Sequence, residues 1–138
     1  MAVTISGAVG DPIEQAMWLA GTPEQRHRGL TGITDLGAAR GMVFVFDRPA
    51  SYRFYMWQTP MPLDILFFDA SGAFVDRADM EPCLAGPVDR CERYSSTVPF
   101  LTAVEIPDGA LDHVTIDRRS RLSVEPSATA TTDTSDEP

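Results

Sequence analysis

An acidic residue interrupts an apolar stretch at Asp64, within Leu63-Asp64-Ile65-Leu66-Phe67-Phe68. If this stretch is a β-strand, its side chains alternate between two faces, so Asp64 shares a face with Leu66 and Phe68. A buried carboxylate without a partner costs several kcal/mol, so a compensating group must lie nearby. Two kinds of compensation are open: structural neighbours, which are the backbone N–H groups of residues 59–62 or an arginine, and a bound ligand.

A second acid, Glu105, lies among apolar residues in Ala103-Val104-Glu105-Ile106, near the end of a predicted strand. If Asp64 and Glu105 met on neighbouring strands, the two carboxylates could act as general acid and base or hold a cation. The structural alternative is that Glu105 pairs with Arg28 or Arg53 at the rim of a sheet.

The two cysteines, Cys83 and Cys91, enclose seven residues. A disulfide would stabilise this loop by roughly 2 to 3 kcal/mol, but it persists only in an oxidising compartment. Residues 1–10 show no basic start followed by an apolar run, so we expect reduced thiols in a cytoplasmic protein. The functional alternatives are a zinc site, for which only His27 and His113 could add ligands at unsuitable spacing, and a catalytic cysteine approached by His113.

Residues 52–57 are rich in aromatic side chains and are predicted to form a strand. Alternation places one set on one face and a second set on the other: Tyr52, Phe54 and Met56, and Arg53, Tyr55 and Trp57. One set belongs to the core, and the other, if exposed, would form a surface suited to a sugar, a peptide or another planar ligand. The alternative is that both sets pack between layers.

Several short elements must position these residues. We predict strands at residues 16–20, 41–46, 52–57, 63–68, 73–80, 100–106 and 121–125. The clearest pairing is a hairpin, because Asp69-Ala70-Ser71-Gly72 offers turn chemistry between the fourth and fifth strands. Asp47-Arg48-Pro49 is expected to end the second strand, and the two prolines of residues 59–62 forbid regular pairing there.

Helical structure is predicted to be short. Thr22 and Gln25 can form a capping box around Pro23, and Gly29 suits a helix end, which predicts a helix over residues 22–28. A further helical turn is predicted at residues 110–114. Residues 81–97, which contain both cysteines, are predicted to be a long loop.

Composition bounds the possible functions. The 138 residues include 43% hydrophobic and 22% charged residues, which is typical of a globular chain with a proper core. The formal net charge is −9 and no lysine is present, so binding to nucleic acid or to anionic membranes is not expected. The apolar stretches are too short to span a bilayer. A glycine-rich phosphate loop, a Gly-x-Ser-x-Gly elbow and a paired-histidine metal motif are absent from the sequence.

These patterns predict a mainly β fold, a compact β-sandwich or barrel-like domain with one or two short helices. Residues 1–125 are predicted to form a single domain. Residues 126–138, which contain Ser, Thr, Ala and acids without large apolar side chains, are predicted to be a disordered acidic tail.

The chain also resembles domain-of-unknown-function family 192 over residues 18–124. The resemblance rests on an ordered set of motifs: Arg28-Gly29-Leu30; Gly41-Met42-Val43-Phe44-Val45-Phe46; Phe54-Tyr55-Met56-Trp57-Gln58-Thr59 with Pro62-Leu63-Asp64; Glu81-Pro82-Cys83 with Cys91 and Tyr94; and Val104-Glu105-Ile106-Pro107 with Gly109. It implies a compact β-sandwich-like fold and no established activity. The sequence departs from the family pattern at Thr31 and Arg119, and at Trp57-Gln58, where many members have Lys-Asn, which weakens the expectation of a polar site built on that lysine.

The leading functional hypothesis is a non-catalytic β domain that binds a small ligand or a partner peptide. Its predicted ligand-binding residues are Asp64, Thr59, Gln58, Trp57, Tyr55, Glu105 and Arg28. The alternatives are a small hydrolase or lyase using the Asp64 and Glu105 carboxylates, with Arg28 nearby, and a structural accessory domain. No cofactor, metal, nucleic acid or membrane is expected, and the oligomeric state is left open.

Overall fold

The structure is a computed structural model and describes residues 1–7 and 12–126. Eight strands, one α-helix and a 3-10 turn follow one another along this part of the chain: β1 Ala2–Ser6, β2 Ile13–Ala16, β3 Trp18–Ala20, α1 Pro23–Arg28, β4 Met42–Ala50, β5 Leu63–Phe68, β6 Phe74–Met80, the 3-10 turn Val88–Arg90, β7 Phe100–Pro107 and β8 Arg121–Glu125. The predicted mainly β fold is confirmed. The predicted disordered tail is residues 126–138, of which all but Pro126 lie outside the described residues.

The strands form two sheets. The smaller sheet has the order β2-β1-β8 and is antiparallel throughout. The larger sheet has the order β3-β4-β7-β5-β6, in which β3 runs parallel to β4 and the other pairs are antiparallel. β7 and β5 are interior strands of the larger sheet, and hydrophobic side chains pack on both faces of this sheet.

Two hydrophobic clusters cover those faces. Val43, Leu66 and Val104 point from the larger sheet toward Val3 and Ile5 of the smaller sheet, which makes the predicted sandwich. On the opposite face, a second cluster is built around aromatic side chains and includes Phe44, Phe54, Phe67, Phe100, Met56 and Leu30. All six residues of β5 are buried, as expected for a strand between two packed layers.

The N-terminal part of the chain differs from the prediction. The predicted strand at residues 16–20 is divided into β2 and β3, which belong to different sheets. The division occurs at Met17, whose N–H donates to the carbonyl of Met1, whereas the N–H of Trp18 donates to Gly41. The chain therefore crosses between sheets at this point, and β1 before it was not predicted at all.

The second predicted strand runs further than expected. Asp47-Arg48-Pro49 does not end it, because β4 continues to Ala50. The pairing with β7 shifts register between Val45 and Ala50, and this irregularity accommodates Pro49, which lacks a backbone donor.

Residues 52–57 do not form the predicted strand. They make only isolated bridges, Phe54 with Tyr94 and Trp57 with Cys83, to the long loop that follows β6. Phe54 and Met56 are buried in the aromatic cluster, so this segment covers a face of the larger sheet instead of extending its edge.

The structure agrees with the remaining predicted elements. The helix has the predicted capping box, in which Thr22 accepts from the N–H of Gln25 and the Gln25 side chain accepts from Thr22. The hairpin of β5 and β6 is confirmed. Residues 110–114, predicted as a helical turn, form successive hydrogen-bonded turns.

Candidate functional site

Asp64 and Glu105 lie on opposite faces of the larger sheet. The pairing of β5 with β7 sets Ile65 directly opposite Glu105, and directly paired residues share a face. Asp64, one residue away, therefore points to the other side. The hypothesis of an acid–base pair formed by these two carboxylates is wrong for this reason.

Glu105 points to the aromatic face and is 4% exposed. It makes no ion pair with any residue that the structure describes, so the predicted pairing with Arg28 or Arg53 is wrong. Burial alone raises the pKa of Glu105 from 4.5 to about 8, with no charge or hydrogen bond opposing the rise. The carboxyl group is therefore mostly protonated at neutral pH.

A narrow cleft opens above Glu105 between α1 and residues 52–57, hereafter the aromatic segment. Its enclosed volume is about 20 Å³, enough for a single group the size of a water molecule. The residues around it are Arg26, His27, Arg28, Gly29, Leu30, Thr31, Phe44, Tyr52, Phe54, Tyr55, Met56, Thr59 and Glu105. Hereafter this feature is called the Glu105 cleft.

Four of the predicted ligand-binding residues meet at the Glu105 cleft. They are Arg28, Tyr55, Thr59 and Glu105. Arg28 is exposed at its mouth, whereas Thr59 is buried, and its hydroxyl donates to the carbonyl of Trp57 over 3.3 Å. The guanidinium of Arg93, from the long loop, lies 4.5 Å from the ring centre of Tyr55.

The other predicted residues lie outside this cleft. Gln58 is exposed and has a φ of 55°, and its side chain reaches the carbonyl of Leu84 at 3.5 Å. Trp57 is half-buried, and its ring N–H has no hydrogen-bond acceptor among the described residues. The predicted site is therefore divided between three locations: the Glu105 cleft, the surface around Trp57 and Gln58, and Asp64 on the other face of the sheet.

Nine residues around the Glu105 cleft were not among the predicted ligand-binding residues, and Arg26 and Tyr52 are two of them. Arg26 donates to the carbonyls of Gly21 at 3.1 Å and Val45 at 2.8 Å, which ties α1 to β4. Tyr52 is half-buried, and its pKa is raised by burial and then by the nearby Tyr55 and Glu105. The position of Arg26 on a short helix carried no signal of this role, because its contacts depend on how α1 packs.

Asp64 is buried on the other face, and its environment is polar. Its Oδ2 accepts from Arg77 at 3.3 Å and from the backbone N–H of Gly109 at 3.3 Å. The predicted arginine partner is thus confirmed, whereas the predicted backbone donors of residues 59–62 are wrong. The Oδ1 atom is buried and has no hydrogen-bond donor in the described part of the chain.

Two further acids surround Asp64. Asp79 is its direct cross-strand partner on β6, and Asp108 follows β7. One carboxylate oxygen from each of the three acids lies within 4.8 Å of the others. Burial raises the pKa of Asp64 to about 7; Asp79 and Asp108 add to the rise, and the N–H of Gly109 opposes it.

The two cysteines form a disulfide in the structure, with Cα atoms 5.8 Å apart. The expectation of reduced thiols is therefore wrong, and the bonded sulfurs cannot serve as a zinc ligand set or a nucleophile. The bridge closes part of the long loop beside the aromatic segment, because Cys83 pairs with Trp57.

None of the helices in residues 1–7 and 12–126 has the length and apolar character to cross a membrane.

Comparison with solved structures identifies two similar folds. A protein of unknown function from Novosphingobium aromaticivorans DSM 12444 superposes with a TM-score of 0.77 and 26% identity, over 89% of this chain and 84% of that chain. A protein from Sinorhizobium meliloti 1021, described as a candidate transcription regulator, has a TM-score of 0.74 and 24% identity, over 88% of this chain and 91% of that one. The latter likeness is one of fold alone.

Sequence comparison places the chain in a family without assigning an activity. No curated protein matches the chain. The family model of domain-of-unknown-function family 192, described as an uncharacterized ACR, matches residues 4–124 and so includes part of β1 as well as the motifs discussed above. Because this match covers most of the sequence, the chain belongs to domain-of-unknown-function family 192.

Proposed function

We propose that this domain is a non-catalytic binding module whose Glu105 cleft takes a hydroxyl or amino group of a small polar ligand or peptide. The observation that carries the proposal is the buried Glu105 carboxyl group, which faces the cleft and has no ion-pair partner among the described residues. A buried polar group without a partner is costly, so a bound group that hydrogen-bonds to it gains affinity.

The size of the cleft limits what can enter. An enclosed volume of about 20 Å³ admits a hydroxyl or amino group but excludes a ring. The remainder of the ligand must lie across the mouth, where Tyr55 offers an aromatic face and Arg28 an exposed cation. Sugars and peptide termini combine such a small polar group with a larger body.

The charge of the cleft favours a ligand with an acidic end. Arg28 and His27 are exposed, and Arg26 is partly exposed. Since Arg26 is already engaged by two backbone carbonyls, Arg28 is the cation best placed to meet a carboxylate. An amino acid or a short peptide could then place its amino group at Glu105 and its carboxylate toward Arg28.

Thermal unfolding in the presence of defined probes tests the proposal. The probes are glucose, N-acetylglucosamine, glycine, glutamate and diglycine, each at 10 mM and compared with equal concentrations of sodium chloride. We expect at least one probe to raise the Tm of the wild type, because a ligand bound only by the folded state stabilises it. The same probe should have at least a tenfold lower affinity for Glu105→Ala.

A matched variant separates the Glu105 cleft from the surface suggested by the sequence alone. Gln58→Asn changes an exposed side chain outside the cleft, and asparagine tolerates the positive φ at this position. It should respond to the probe like the wild type. If every probe leaves the Tm unchanged, a single ordered water at Glu105 explains its burial, and the structural accessory role becomes the better hypothesis.

A further inference from the structure

A cluster of acids lies on the face of the larger sheet opposite the Glu105 cleft. It consists of Asp64 on β5, Asp79 on β6 and Asp108 in the turn after β7, hereafter the Asp64 cluster. Asp79 and Asp108 are exposed, whereas Asp64 is 1% exposed. The cluster therefore has a buried floor and a mouth open to solvent.

The cluster carries more negative charge than its neighbours neutralise. Three carboxylates face one guanidinium, that of Arg77, so the group has a formal charge of −2 when all the acids are ionised. Asp64 and Asp79 are directly opposed across an antiparallel pair, an arrangement that is destabilising for like charges. Something of positive charge, a proton or a cation, must reduce this repulsion.

The buried oxygen of Asp64 is independent evidence for a missing partner. Arg77 and Gly109 both donate to Oδ2, which leaves Oδ1 buried without a donor in the described chain. Asp79 and Asp108 each bring a carboxylate oxygen within 4.8 Å of an oxygen of Asp64, and neither can donate a hydrogen bond when ionised. The buried residue of the acidic cluster therefore carries one carboxylate oxygen without a donor among the described residues.

We propose that the Asp64 cluster binds a calcium ion. Calcium is coordinated by oxygen atoms at about 2.3 to 2.6 Å, so two ligands on opposite sides of the ion lie about 4.8 Å apart. The three carboxylate oxygens lie within 4.8 Å of one another, which fits one coordination shell. Water at the open mouth fills the remaining positions, since Asp79 and Asp108 are exposed.

Calcium fits the cluster better than magnesium does. Magnesium requires near-ideal octahedral geometry at about 2.0 to 2.1 Å and gives up its water reluctantly. Calcium tolerates irregular ligand sets, such as one buried and two exposed carboxylates beside an arginine. With only three protein carboxylates, the expected Kd lies at about 10⁻⁴ to 10⁻³ M, typical of sites in extracellular modules.

Isothermal titration calorimetry and thermal unfolding test this proposal. After dialysis against EDTA and then metal-free buffer, the wild type is titrated with CaCl2 and, separately, with MgCl2 at constant ionic strength. We expect one calcium per chain and a Tm raised by roughly 3 to 10 °C at 5 mM CaCl2, with a much smaller effect of MgCl2. Equal responses to both ions would overturn the choice of calcium.

Conservative variants locate the site. Asp79→Asn and Asp108→Asn keep the shape of exposed side chains and should each weaken calcium binding at least tenfold. Asp47→Asn, which removes an exposed acid from β4, is the matched control and should bind calcium like the wild type. The proposal is overturned if the wild type shows no calcium-specific response, or if the two cluster variants retain wild-type affinity.

Discussion

Glu105 and Ile65 are direct partners across β7 and β5, and this pairing turns Glu105 toward the aromatic face of the larger sheet. Its neighbour in the sheet, Asp64, consequently faces the other way. The two most buried acids of the described chain therefore occupy separate environments. One has a cleft and no ion pair, and the other has an arginine and two further acids.

The burial of Glu105 predicts a pH-dependent stability. Its pKa rises from 4.5 to about 8 on folding, so the folded state holds a proton that the unfolded state loses between these values. Stability associated with this residue is full below about pH 4.5 and is lost as the pH rises through about 8, by up to about 1.4 kcal/mol per pH unit.

Glu105→Gln isolates this contribution, because it keeps the shape of the side chain and removes the titration. Other groups around the cleft, Arg26, His27 and Tyr52, remain in both proteins. Urea unfolding at pH 5, 6, 7 and 8 should therefore give a difference in free energy of unfolding that moves in favour of the variant as the pH rises. A difference that stays constant over this range would show that Glu105 does not titrate there.

Arg77 is predicted to stabilise the protein by offsetting the charge of the buried Asp64 carboxylate. Its side chain is 37% exposed and that of Asp64 is 2% exposed, so the pair is half-screened by solvent. Arg77→Gln should lower the free energy of unfolding by about 1 to 2 kcal/mol, less than the loss for a fully buried pair. Chemical unfolding in metal-free buffer measures the change.

The pair of Arg119 and Asp117 supplies the comparison for Arg77. Its side chains are 68% and 38% exposed, and its N–O distance of 3.2 Å is similar to that of the pair with Asp64. Arg119→Gln should leave the free energy of unfolding nearly unchanged, because solvent screens this pair. Equal losses in the two variants would mean that burial of Asp64 does not determine the effect.

Local patterns predicted the elements that depend on neighbouring residues. The capping box of Thr22 and Gln25 forms within four residues, and the hydrogen bonds that define α1 are those expected from the sequence. The hairpin of β5 and β6 was also predicted from its turn residues. The fold class followed from the number of such elements and the lack of long helices.

The register of that hairpin was not predictable in the same way. A turn limited to residues 69–72 would pair Phe68 with Ala73 and Asp64 with Arg77. The observed pairing joins Phe68 to Phe74, and an irregularity beside Phe67 then places Asp79 opposite Asp64. A shift of two residues decides whether the residue directly opposite Asp64 on β6 is a cation or another acid, and nothing in the turn sequence indicates the bulge.

The Glu105 cleft was predicted only in part because it is made by tertiary packing. The aromatic motif suggested Tyr55 and Thr59, but the assumption of a strand placed Trp57 and Gln58 with them. The segment instead folds over the sheet and turns outward at Gln58, which has a positive φ. The predicted alternation of more and less buried side chains holds over residues 52–57, with Phe54 and Met56 in the core, and ends at Gln58.

Gly41 is predicted to be essential for the packing of the strand that carries Glu105. A Cβ atom at this position would overlap the backbone oxygen of Glu105 and lie 3.1 Å from Cγ2 of Ile106. Gly41→Ala should lower the free energy of unfolding by on the order of 2 kcal/mol or more, because the obstruction is backbone that cannot rotate away. Urea unfolding measures the loss.

Gly21→Ala is the matched control for the variant at Gly41. A Cβ at Gly21 would meet only the side chain of Leu19, at ordinary contact distances of 3.5 Å and more. We expect a change within about 0.5 kcal/mol. If both alanine variants were equally stable, β4 and β7 would have to be further apart at Gly41 than the structure places them.

The disulfide is predicted to stabilise the long loop and to be present in protein taken from cells. Closing a loop with a sequence separation of 8 contributes about 2 to 3 kcal/mol. A reducing agent should therefore lower the Tm of the wild type by roughly 10 °C, but leave the Tm of the double variant Cys83→Ser, Cys91→Ser unchanged.

Alkylation of freshly lysed cells followed by mass spectrometry reports whether the bridge exists in the cell. Fully alkylated cysteines would support the cytoplasmic location expected from the sequence, whereas a complete bridge requires an oxidising compartment, since thiols in the cytosol are kept reduced.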